Sequence, residues 1–226
     1  MRRDIFSSYT GAIIAVNIFV FIGFLVLQSF VGSEKAVSLV ALMPAMVFAG
    51  KGLWTFLTSM FMHAGLLHLF VNMVSLMFLG SFVEKLVGKK RFLWLYFASG
   101  IFAGIFFVLI ALFSKPDVAC QLIPLDNLPS YCVYAVGASG AIFGLGGLLA
   151  VLTPRLPVLV FFVIPMPMWA AMVFLMFGLW ALSLGLGLPI GNTAHLGGLI
   201  VGLGYGFYLK KKFPRKTKMI STYFSR

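Results

Sequence analysis

The sequence Gly137-Ala138-Ser139-Gly140 places one hydroxyl among small residues, between apolar segments of the chain. A serine beside glycines is common in loops and at close helix contacts, so the motif alone predicts only packing. A second observation gives it weight. The only three histidines, His63, His68 and His195, all border or lie within apolar segments, where an ionisable side chain is costly and is by default a candidate functional group.

The composition indicates a polytopic membrane protein. Of the 226 residues, 62% are hydrophobic and 10% are charged, whereas a soluble domain carries about 25% charged residues. The mean hydropathy is +1.08. The net charge of +12 does not indicate nucleic-acid binding, because the basic residues lie at the ends of apolar segments and not along one exposed face. We expect one membrane-embedded domain over residues 1–226, without a separate soluble domain.

Six apolar segments predict six membrane-spanning helices, and hence an all-α membrane protein. Their approximate bounds are 10–31, 66–83, 92–113, 138–153, 168–185 and 193–209. The first is longer than the apolar core of about 7–15 residues that is typical of a signal peptide, so we interpret it as a membrane helix. The connection 32–64 is broken by proline and glycine but rich in large apolar residues, which favours an amphipathic hairpin in the outer interface. Residues 156–167 predict a short buried or interfacial entry to the fifth helix.

Six spans place both termini on one side, and the basic residues predict that this side is the cytoplasm. All but three of the 17 lysines and arginines lie at the N-terminus, in the second and fourth connections or in the tail; the exceptions are Lys35, Lys51 and Lys115. This asymmetry follows the positive-inside rule. We expect a multi-pass protein of the plasma membrane, with residues 210–226 as a basic cytoplasmic tail. Attraction of that tail to anionic lipid head groups is a secondary interpretation.

Helix rise predicts that three polar side chains share one depth. Ser139, His68 and His195 each lie 15 or 16 residues from the charge that ends their span on the cytoplasmic side, which is about 22–24 Å at roughly 1.5 Å per residue. Asn72 lies on the same helix face as His68, about one turn deeper. Small residues that let membrane helices approach closely recur at every fourth position of the two spans concerned: Ala194, Gly198, Gly202 and Gly206 on the sixth, and Gly140 and Gly144 on the fourth.

These residues suit a nucleophilic dyad of Ser139 and His195. A serine hydroxyl is a weak nucleophile until a base takes its proton, and neutral imidazole suits that role near pH 7. No acidic third member is expected, because none of the five Asp and Glu residues lies within a span at this depth. Candidate donors for a developing oxyanion are the Ser139 backbone N–H at the positive end of its helix, His68 and the Asn72 amide. Phe143, one turn below Ser139, is either a wall that holds the imidazole or an ordinary core aromatic.

With these features the chain resembles the compact six-helix type of rhomboid intramembrane serine protease, from about Asn17 to Leu209. The matching motifs are Gly137-Ala138-Ser139-Gly140 at the start of the fourth helix, Ala194-His195-Leu196-Gly197-Gly198 in the sixth, and His63, His68 and Asn72 in that order. One departure is visible: many members carry Trp-Arg where this chain has Trp54-Thr55. That difference puts the usual polar anchor of the hairpin in doubt, and leaves the dyad unaffected.

The resemblance implies a function and a role for each matched residue. Ser139 would be the nucleophile, His195 the general base, and His68 and Asn72 part of the oxyanion hole, while His63 would tie down the outer connection. Supporting positions would be Phe143, Gly137, Gly140 and Gly198. The substrates would be single-span or polytopic membrane proteins within the lipid bilayer, cleaved near the outer face, and no metal or other cofactor is expected.

Two other function classes remain open on the sequence. An ion or proton transporter would also use histidine and asparagine at membrane depth, but there is no Asp or Glu within the membrane to relay a proton. A catalytically inactive rhomboid-like protein could bind membrane clients, although such proteins usually lack the serine or the histidine.

Two loops carry further predictions. Cys120 and Cys132, the only cysteines, are too sparse for a metal site but could pair if their loop faces an oxidising compartment. The loop Leu186–Asn192 and the fifth helix are both candidates for a gate through which substrate and water reach the site.

Overall fold

The computed structural model describes residues 8–113, 133–161, 163–186 and 191–224 of the chain. Cys120 and Cys132 lie outside these ranges, as do most of the loop 114–136 and residues 187–190 of the candidate gate loop. The disulfide and the loop part of the gate therefore stay predictions.

The described chain is mostly helical, as the sequence predicts. In chain order the helices are α1 Tyr9–Val31, α2 Ser33–Val40, α3 Pro44–Phe48, α4 Thr55–Thr58, α5 Leu66–Ser75, α6 Ser81–Val87, α7 Lys89–Phe113, α8 Ser139–Leu152, α9 Met168–Leu186, α10 Asn192–Lys212 and α11 Pro214–Tyr223. A π-helical segment, Leu76–Gly80, joins α5 directly to α6. One short hairpin, β1 Pro157–Val160 with β2 Ile164–Pro167, precedes α9.

Four helical segments of the described ranges are long and apolar enough to cross a membrane: Tyr9–Val31, Leu66–Val87, Lys89–Phe113 and Met168–Leu186. Helix α8 is apolar but has only 14 residues, or about 21 Å at roughly 1.5 Å per residue. Helix α10 has 21 residues and ends in three lysines. The four long segments support an integral membrane protein, whereas the count of six spans and the side of each terminus stay predictions.

The structure carries the second span beyond its predicted end at residue 83. The helix continues through Glu84 to Val87, where Gly88, with a φ of 87°, ends it. The Glu84 carboxylate accepts hydrogen bonds from the N–H groups of Tyr9 (3.0 Å) and Thr10 (2.9 Å) and from the Thr10 hydroxyl (2.7 Å). Because these donors in the first turn of α1 stabilise the negative charge of the carboxylate, Glu84 can stay buried inside the bundle. The same bonds tie α1 to α6.

The connection after α1 is a compact hairpin built from α2, α3 and α4. The Trp54 indole N–H donates to the Leu39 carbonyl at 2.9 Å, and the Thr58 hydroxyl donates to the Val40 carbonyl at 3.0 Å. The Thr55 hydroxyl donates to the Gly52 carbonyl. The hairpin therefore has polar anchors of its own, at and around the Trp54-Thr55 pair where the sequence departs from the pattern that it resembles.

Pro157–Val160 and Ile164–Pro167 pair as an antiparallel hairpin, which the sequence did not predict. Its register pairs Pro157 with Pro167 and Val160 with Ile164. Proline removes a backbone donor and cannot propagate a helix, whereas at the end of a two-stranded ladder it costs little pairing. The apolar run between the prolines has no alternation from which a strand could be recognised. The hairpin is the one exception to an all-α architecture in the described ranges.

Helix α8 lies at the centre of the bundle. All its residues except Ser139 and Ala150 are buried, and α7, α9 and α10 pack around it. A Cβ on Gly198 would overlap the Gly140 carbonyl, and a Cβ on Gly202 would overlap the Gly144 carbonyl. The backbones of α8 and α10 are therefore in direct contact. Close packing of this kind is what holds helices together in lipid, where no hydrophobic difference separates helix from solvent.

The basic tail also contains regular structure. Helix α11 folds back against α8, with Thr217 buried. Beyond its end, the Phe224 ring meets the Phe82 ring of α6 edge-on, with the centroids 5.6 Å apart. The residues after Lys212 thus close one end of the bundle.

The contact between α8 and α10 gives a stability prediction. We expect Gly198→Ala to destabilise the protein by about 1–3 kcal/mol, because the added methyl overlaps the Gly140 carbonyl and forces the helices apart. Gly204→Ala is the matched control, since nothing lies within 4 Å of its Cβ position on the same helix. The midpoints of thermal unfolding in one detergent measure the effect. Equal midpoints for the two variants would contradict the contact.

Candidate active site

Ser139 begins α8, and the backbone just before it is held on one side by the hairpin of α2 to α4. The Gly137 N–H donates to the Ser59 carbonyl at 2.8 Å, and Leu42 pairs with Ala135 in an antiparallel bridge. Gly137 has a φ of 110°, a conformation that side chains strongly disfavour. This turn converts an extended segment into α8 and leaves Ser139 half-buried at the helix start.

His195 lies in the first turn of α10, directly beside the serine. Its Nε2 atom is 2.8 Å from the Ser139 Oγ atom, within ordinary hydrogen-bond distance. Only 7% of the His195 surface is exposed. Its Nδ1 atom is buried and has no hydrogen-bond partner among the described residues. Within the described ranges the two side chains therefore form a pair, with no carboxylate bonded to the imidazole to extend it into a triad.

The Phe143 ring packs against one face of the His195 imidazole. The Phe143 and His195 rings stack with their centroids 4.5 Å apart and their planes 12° from parallel. Phe143 follows Ser139 by one turn on the same buried helix, so serine and stacking partner are fixed to one rigid element. Such a stack restrains the ring without a hydrogen bond to Nδ1.

The short distance between serine and histidine follows from the contact between their helices. Gly140 comes directly after Ser139, and its Cβ position is 3.6 Å from the Ala194 carbonyl oxygen, directly before His195. One turn further along, Gly198 packs on the Gly140 carbonyl. A side chain at Gly198 would separate the two helix starts and the reactive groups with them, whereas a side chain at Gly140 would first meet the Ala103 Cβ atom of α7, 2.6 Å away.

His63 and His68 line the other side of the turn before Ser139. His63 is fully buried, and its Nε2 accepts a hydrogen bond from the Ala138 N–H at 3.5 Å. The His63 and His68 rings meet edge to face with centroids 5.1 Å apart. Burial, and then the charge of nearby His68, lower the pKa of His63 to about 4, so this ring is neutral and can accept the bond at pH 7.

Gly137 is the point at which His68 comes closest to the serine turn. A Cβ there would lie 2.8 Å from the His68 Cε1 atom and 2.9 Å from its Nε2 atom. The His68 ring therefore lies against the backbone two residues before Ser139, and is half-exposed.

Asn72 lies on the same helix face but is engaged with its own backbone. Its Nδ2 atom donates to the His68 carbonyl at 2.9 Å, and the side chain is buried. One of its two amide hydrogens remains for another acceptor. No hydrogen bond joins Asn72 to Ser139 in the described structure.

Sequence reasoning missed the contacts that fix the backbone before Ser139. The Ser59 carbonyl and the Leu42–Ala135 bridge act through main-chain atoms, and main-chain atoms leave no residue-type signal. The only available signal was Gly137 itself, since a glycine before a helix often marks a positive φ.

The arrangement suits nucleophilic attack on a carbonyl. The first backbone bond of the helix runs from the Ile142 N–H to the Ala138 carbonyl at 3.0 Å, so the N–H groups just before Ile142 have no acceptor within the helix. These donors lie at the positive end of the helix dipole, next to Ser139, and groups of this kind suit the stabilisation of an oxyanion. Among the described residues, no three His, Cys, Asp or Glu side chains are grouped as metal ligands.

Comparison with known proteins points to one family. The sequence model of the Rhomboid domain matches residues 50–212, a range that contains every candidate site residue. The chain is 36% identical to RHOMBOID-like protein 2 of Arabidopsis thaliana over 158 residues, which are 69% of this chain and 42% of that protein. It is 32% identical to Rhomboid protein 1, mitochondrial, of Saccharomyces cerevisiae over 161 residues, 70% of this chain and 42% of that protein.

A third relative has a different description. Inactive RHOMBOID-like protein 8 of Arabidopsis thaliana is 36% identical over 95 residues, which are 42% of this chain and 22% of that protein. The chain spans about two-fifths of the length of the first two relatives.

Gly137 gives a prediction about how the site is supported. We expect Gly137→Ala to lower the free energy of unfolding by about 1–3 kcal/mol, because its methyl would meet the His68 ring and its φ is unfavourable for a side chain. Gly65→Ala is the control, because nothing lies within 4 Å of its Cβ position and its φ of 176° is ordinary extended backbone. Thermal unfolding of both variants measures the difference, and an unfolding midpoint for Gly137→Ala at or above that of Gly65→Ala would rule the steric argument out.

Proposed function

The chain belongs to the rhomboid family, and on that premise we propose that it is an intramembrane serine endopeptidase that uses Ser139 and His195 as a catalytic dyad. The family includes intramembrane serine proteases that act on membrane proteins within the bilayer. The observation that carries the proposal is the 2.8 Å separation of Ser139 Oγ and His195 Nε2. Oxygen and nitrogen at this distance suit direct proton transfer.

In the proposed first half-reaction, His195 Nε2 takes the Ser139 hydroxyl proton while Oγ attacks the carbonyl carbon of the scissile bond. For Nε2 to act as the base, the neutral ring must carry its own hydrogen on Nδ1. The tetrahedral intermediate collapses as the C–N bond breaks, and His195 returns the proton to the leaving amine. Ser139 then holds the acyl group as an ester.

In the second half-reaction, His195 removes a proton from water, and the resulting hydroxide attacks the ester carbonyl. Collapse of that intermediate breaks the bond to Oγ, returns the proton to Ser139 and frees the carboxylic acid. Because no carboxylate of the described residues bonds to Nδ1, the Phe143 stack at 4.5 Å is proposed to keep the ring in position through both steps.

Three groups are proposed to stabilise the oxyanion. The Ser139 N–H lies at the helix start, the His68 ring lies against Gly137, and Asn72 has an amide hydrogen beyond the one bonded to the His68 carbonyl. Each donates to negative charge that is absent from the ground-state carbonyl, so each lowers the barrier more than it tightens substrate binding.

The remaining predicted site residues are proposed to support the dyad. His63 joins the outer connection to the Ala138 N–H. Gly137 makes the turn into α8, and Gly140 and Gly198 bring the two helices together.

We propose that residues 1–226 form one membrane-embedded domain of six spans, with both termini and the basic residues 210–226 in the cytoplasm of a plasma-membrane protein. The length of α8 supports a site below the outer surface. Its 14 residues rise about 21 Å, short of a hydrocarbon core of about 30 Å. If α8 ends near the inner boundary, Ser139 lies several ångströms within the bilayer.

The substrate is proposed to be a membrane segment of a single-span or polytopic protein. A helical segment hides its carbonyls in backbone hydrogen bonds, so the scissile bond must first unwind, which is easier near glycine or proline. Helix α9 is the proposed gate. All its buried residues lie between Met168 and Met176, so its second half is loosely held and can move at low cost.

A second candidate is an inactive rhomboid-like protein that binds membrane clients without cleaving them. It is favoured by the similarity to Inactive RHOMBOID-like protein 8, which shows that relatives of this chain include proteins of that description. A serine-directed fluorophosphonate separates the two candidates. Labelling of Ser139 in the parent protein, lost in His195→Ala, indicates a working dyad, and no labelling of the folded parent indicates a binder.

The first prediction on activity concerns the nucleophile. We expect Ser139→Ala and His195→Ala each to abolish cleavage of a single-span client in reconstituted vesicles, because each removes one member of the dyad. Ser139→Ala deletes one oxygen without opening a cavity, so its thermal unfolding midpoint should match that of the parent. Ser75→Ala, another half-buried serine on a helix, is the control and should retain full activity. Full cleavage by purified Ser139→Ala protein would refute the mechanism.

The second prediction on activity concerns the oxyanion donors. We expect His68→Ala to lower kcat by about 10²-fold with little change in KM, which is typical for loss of one oxyanion donor. Asn72→Ala should have a similar or smaller effect. Both variants should keep Ser139 reactive toward the fluorophosphonate, although more slowly. If both cleave at the parent rate, the oxyanion assignment is wrong.

A further inference from the structure

A positively charged cleft lies far from the serine, between the start of α7 and the end of α10. It has a volume of about 540 Å³. Lys90 and Arg91 come from α7 and Lys212 from α10, and all three are exposed. No Asp or Glu lines this cleft in the part of the chain that the structure describes.

Two of these cations converge on one aromatic ring. The Arg91 guanidinium lies 5.5 Å from the centroid of Phe213, and the Lys212 ammonium lies 5.8 Å from the same centroid. An anion beside this ring would be attracted by both charges. The buried carboxylate at the neighbouring helix end, Glu84, is bonded to Tyr9 and Thr10 of α1, so it does not supply that anion.

The cleft also offers a neutral donor. Lys212 Nζ donates to the Tyr208 hydroxyl oxygen at 2.8 Å. Since that oxygen accepts from the ammonium, the hydroxyl hydrogen of Tyr208 remains for another acceptor. An anion with several oxygens could therefore bond to a guanidinium, an ammonium and a phenol at once.

The wall of the cleft on the side toward the middle of α7 and α10 is aromatic and open. The Trp94 and Tyr205 rings lie 5.1 Å apart, and Tyr205 stacks on Tyr208 at 6.0 Å. Trp94 is 57% exposed and follows Arg91 by one turn. Tyrosine and tryptophan in this position are typical of the level where head groups meet acyl chains.

We propose that this cleft binds one anionic phospholipid of the inner leaflet. The phosphate is held by Arg91, Lys212 and the Tyr208 hydroxyl, and the glycerol and upper acyl chains lie along Trp94 and Tyr205. A lipid fits better than a soluble phosphate, because only a lipid covers the exposed aromatic wall as well as the cations. The site is independent of the proposed protease activity.

Occupancy of the cleft has a consequence for the bundle. The lipid joins α7 to α10, and both pack against α8, which carries Ser139. A ligand that binds only the folded state raises its stability in proportion to the logarithm of ligand concentration over Kd. Phosphatidylglycerol is therefore expected to raise the thermal unfolding midpoint of the full chain, whereas phosphatidylcholine with the same acyl chains is not.

Native mass spectrometry of the purified chain measures binding directly. We expect the parent to retain one phosphatidylglycerol in preference to phosphatidylcholine. Arg91→Gln with Lys212→Gln should weaken that binding about 25-fold, since each cation near an anionic lipid contributes about fivefold. Lys210→Gln with Lys211→Gln is the matched control: it removes the same charge from the same end of α10, at exposed residues that do not line the cleft.

A second measurement does not depend on the charge variants being folded. Phosphatidylglycerol brominated on its upper acyl chain should quench the Trp94 fluorescence, taken as parent minus Trp94→Phe, more than brominated phosphatidylcholine at equal mole fraction. Equal quenching by the two lipids, or equal loss of lipid binding in the control and cleft variants, would overturn the proposal in favour of diffuse attraction. Full displacement of the lipid by millimolar glycerol phosphate would indicate a site for a soluble anion and would equally overturn it.

Discussion

The direct contact between the backbones of α8 and α10 is the constraint on which the rest of the structure depends. At Gly198 against Gly140, and again at Gly202 against Gly144, there is no room for a single methyl group. Ser139 and His195 come just before this contact on their respective helices, so its geometry sets the distance between them. In lipid, where apolar surfaces are not driven together by water, such shape matching is the main source of helix association. The force that holds the fold together thus also assembles the candidate site.

A second set of contacts orients the serine. The short helices α2 to α4 are too short to span a membrane. The segment that contains them supplies two acceptors for the turn: the Ser59 carbonyl accepts from the Gly137 N–H, and the His63 ring accepts from the Ala138 N–H. These bonds fix an unfavourable turn that a free chain would not hold. The hairpin of α2 to α4 is therefore best understood as a support for the start of α8. Its own anchor, from Trp54 to the Leu39 carbonyl, lies far from the reactive groups.

Packing is uneven across the bundle, and this difference bears on the proposed gate. Helix α8 is buried along almost its whole length, whereas the second half of α9 has no buried residue. For the proposed mechanism, a well-packed centre would hold the distance between Ser139 and His195, while a more exposed helix at the periphery could move as the proposed gate. The cleft between α7 and α10 lies at the end of α10 opposite His195, where charged residues are grouped.

The sequence by itself determined the class of protein, the long apolar helices and the identity of the residues at the candidate site. Each of these depends on local information: apolar length, glycine at every fourth position, and rare histidines in apolar surroundings. It also indicated that Ser139 begins a helix and that Phe143 follows one turn below. The sequence did not determine the features in which a group is bonded or positioned by a partner elsewhere in the fold.

Glu84 stays inside the bundle because α1 supplies three donors. The strands Pro157–Val160 and Ile164–Pro167 form by main-chain pairing with each other, and Asn72 bonds to a carbonyl of its own helix. The aromatic wall and paired cations of the α7–α10 cleft come from segments more than 100 residues apart. In each case the deciding partner is remote in sequence or is a main-chain atom, so only the tertiary structure identifies it.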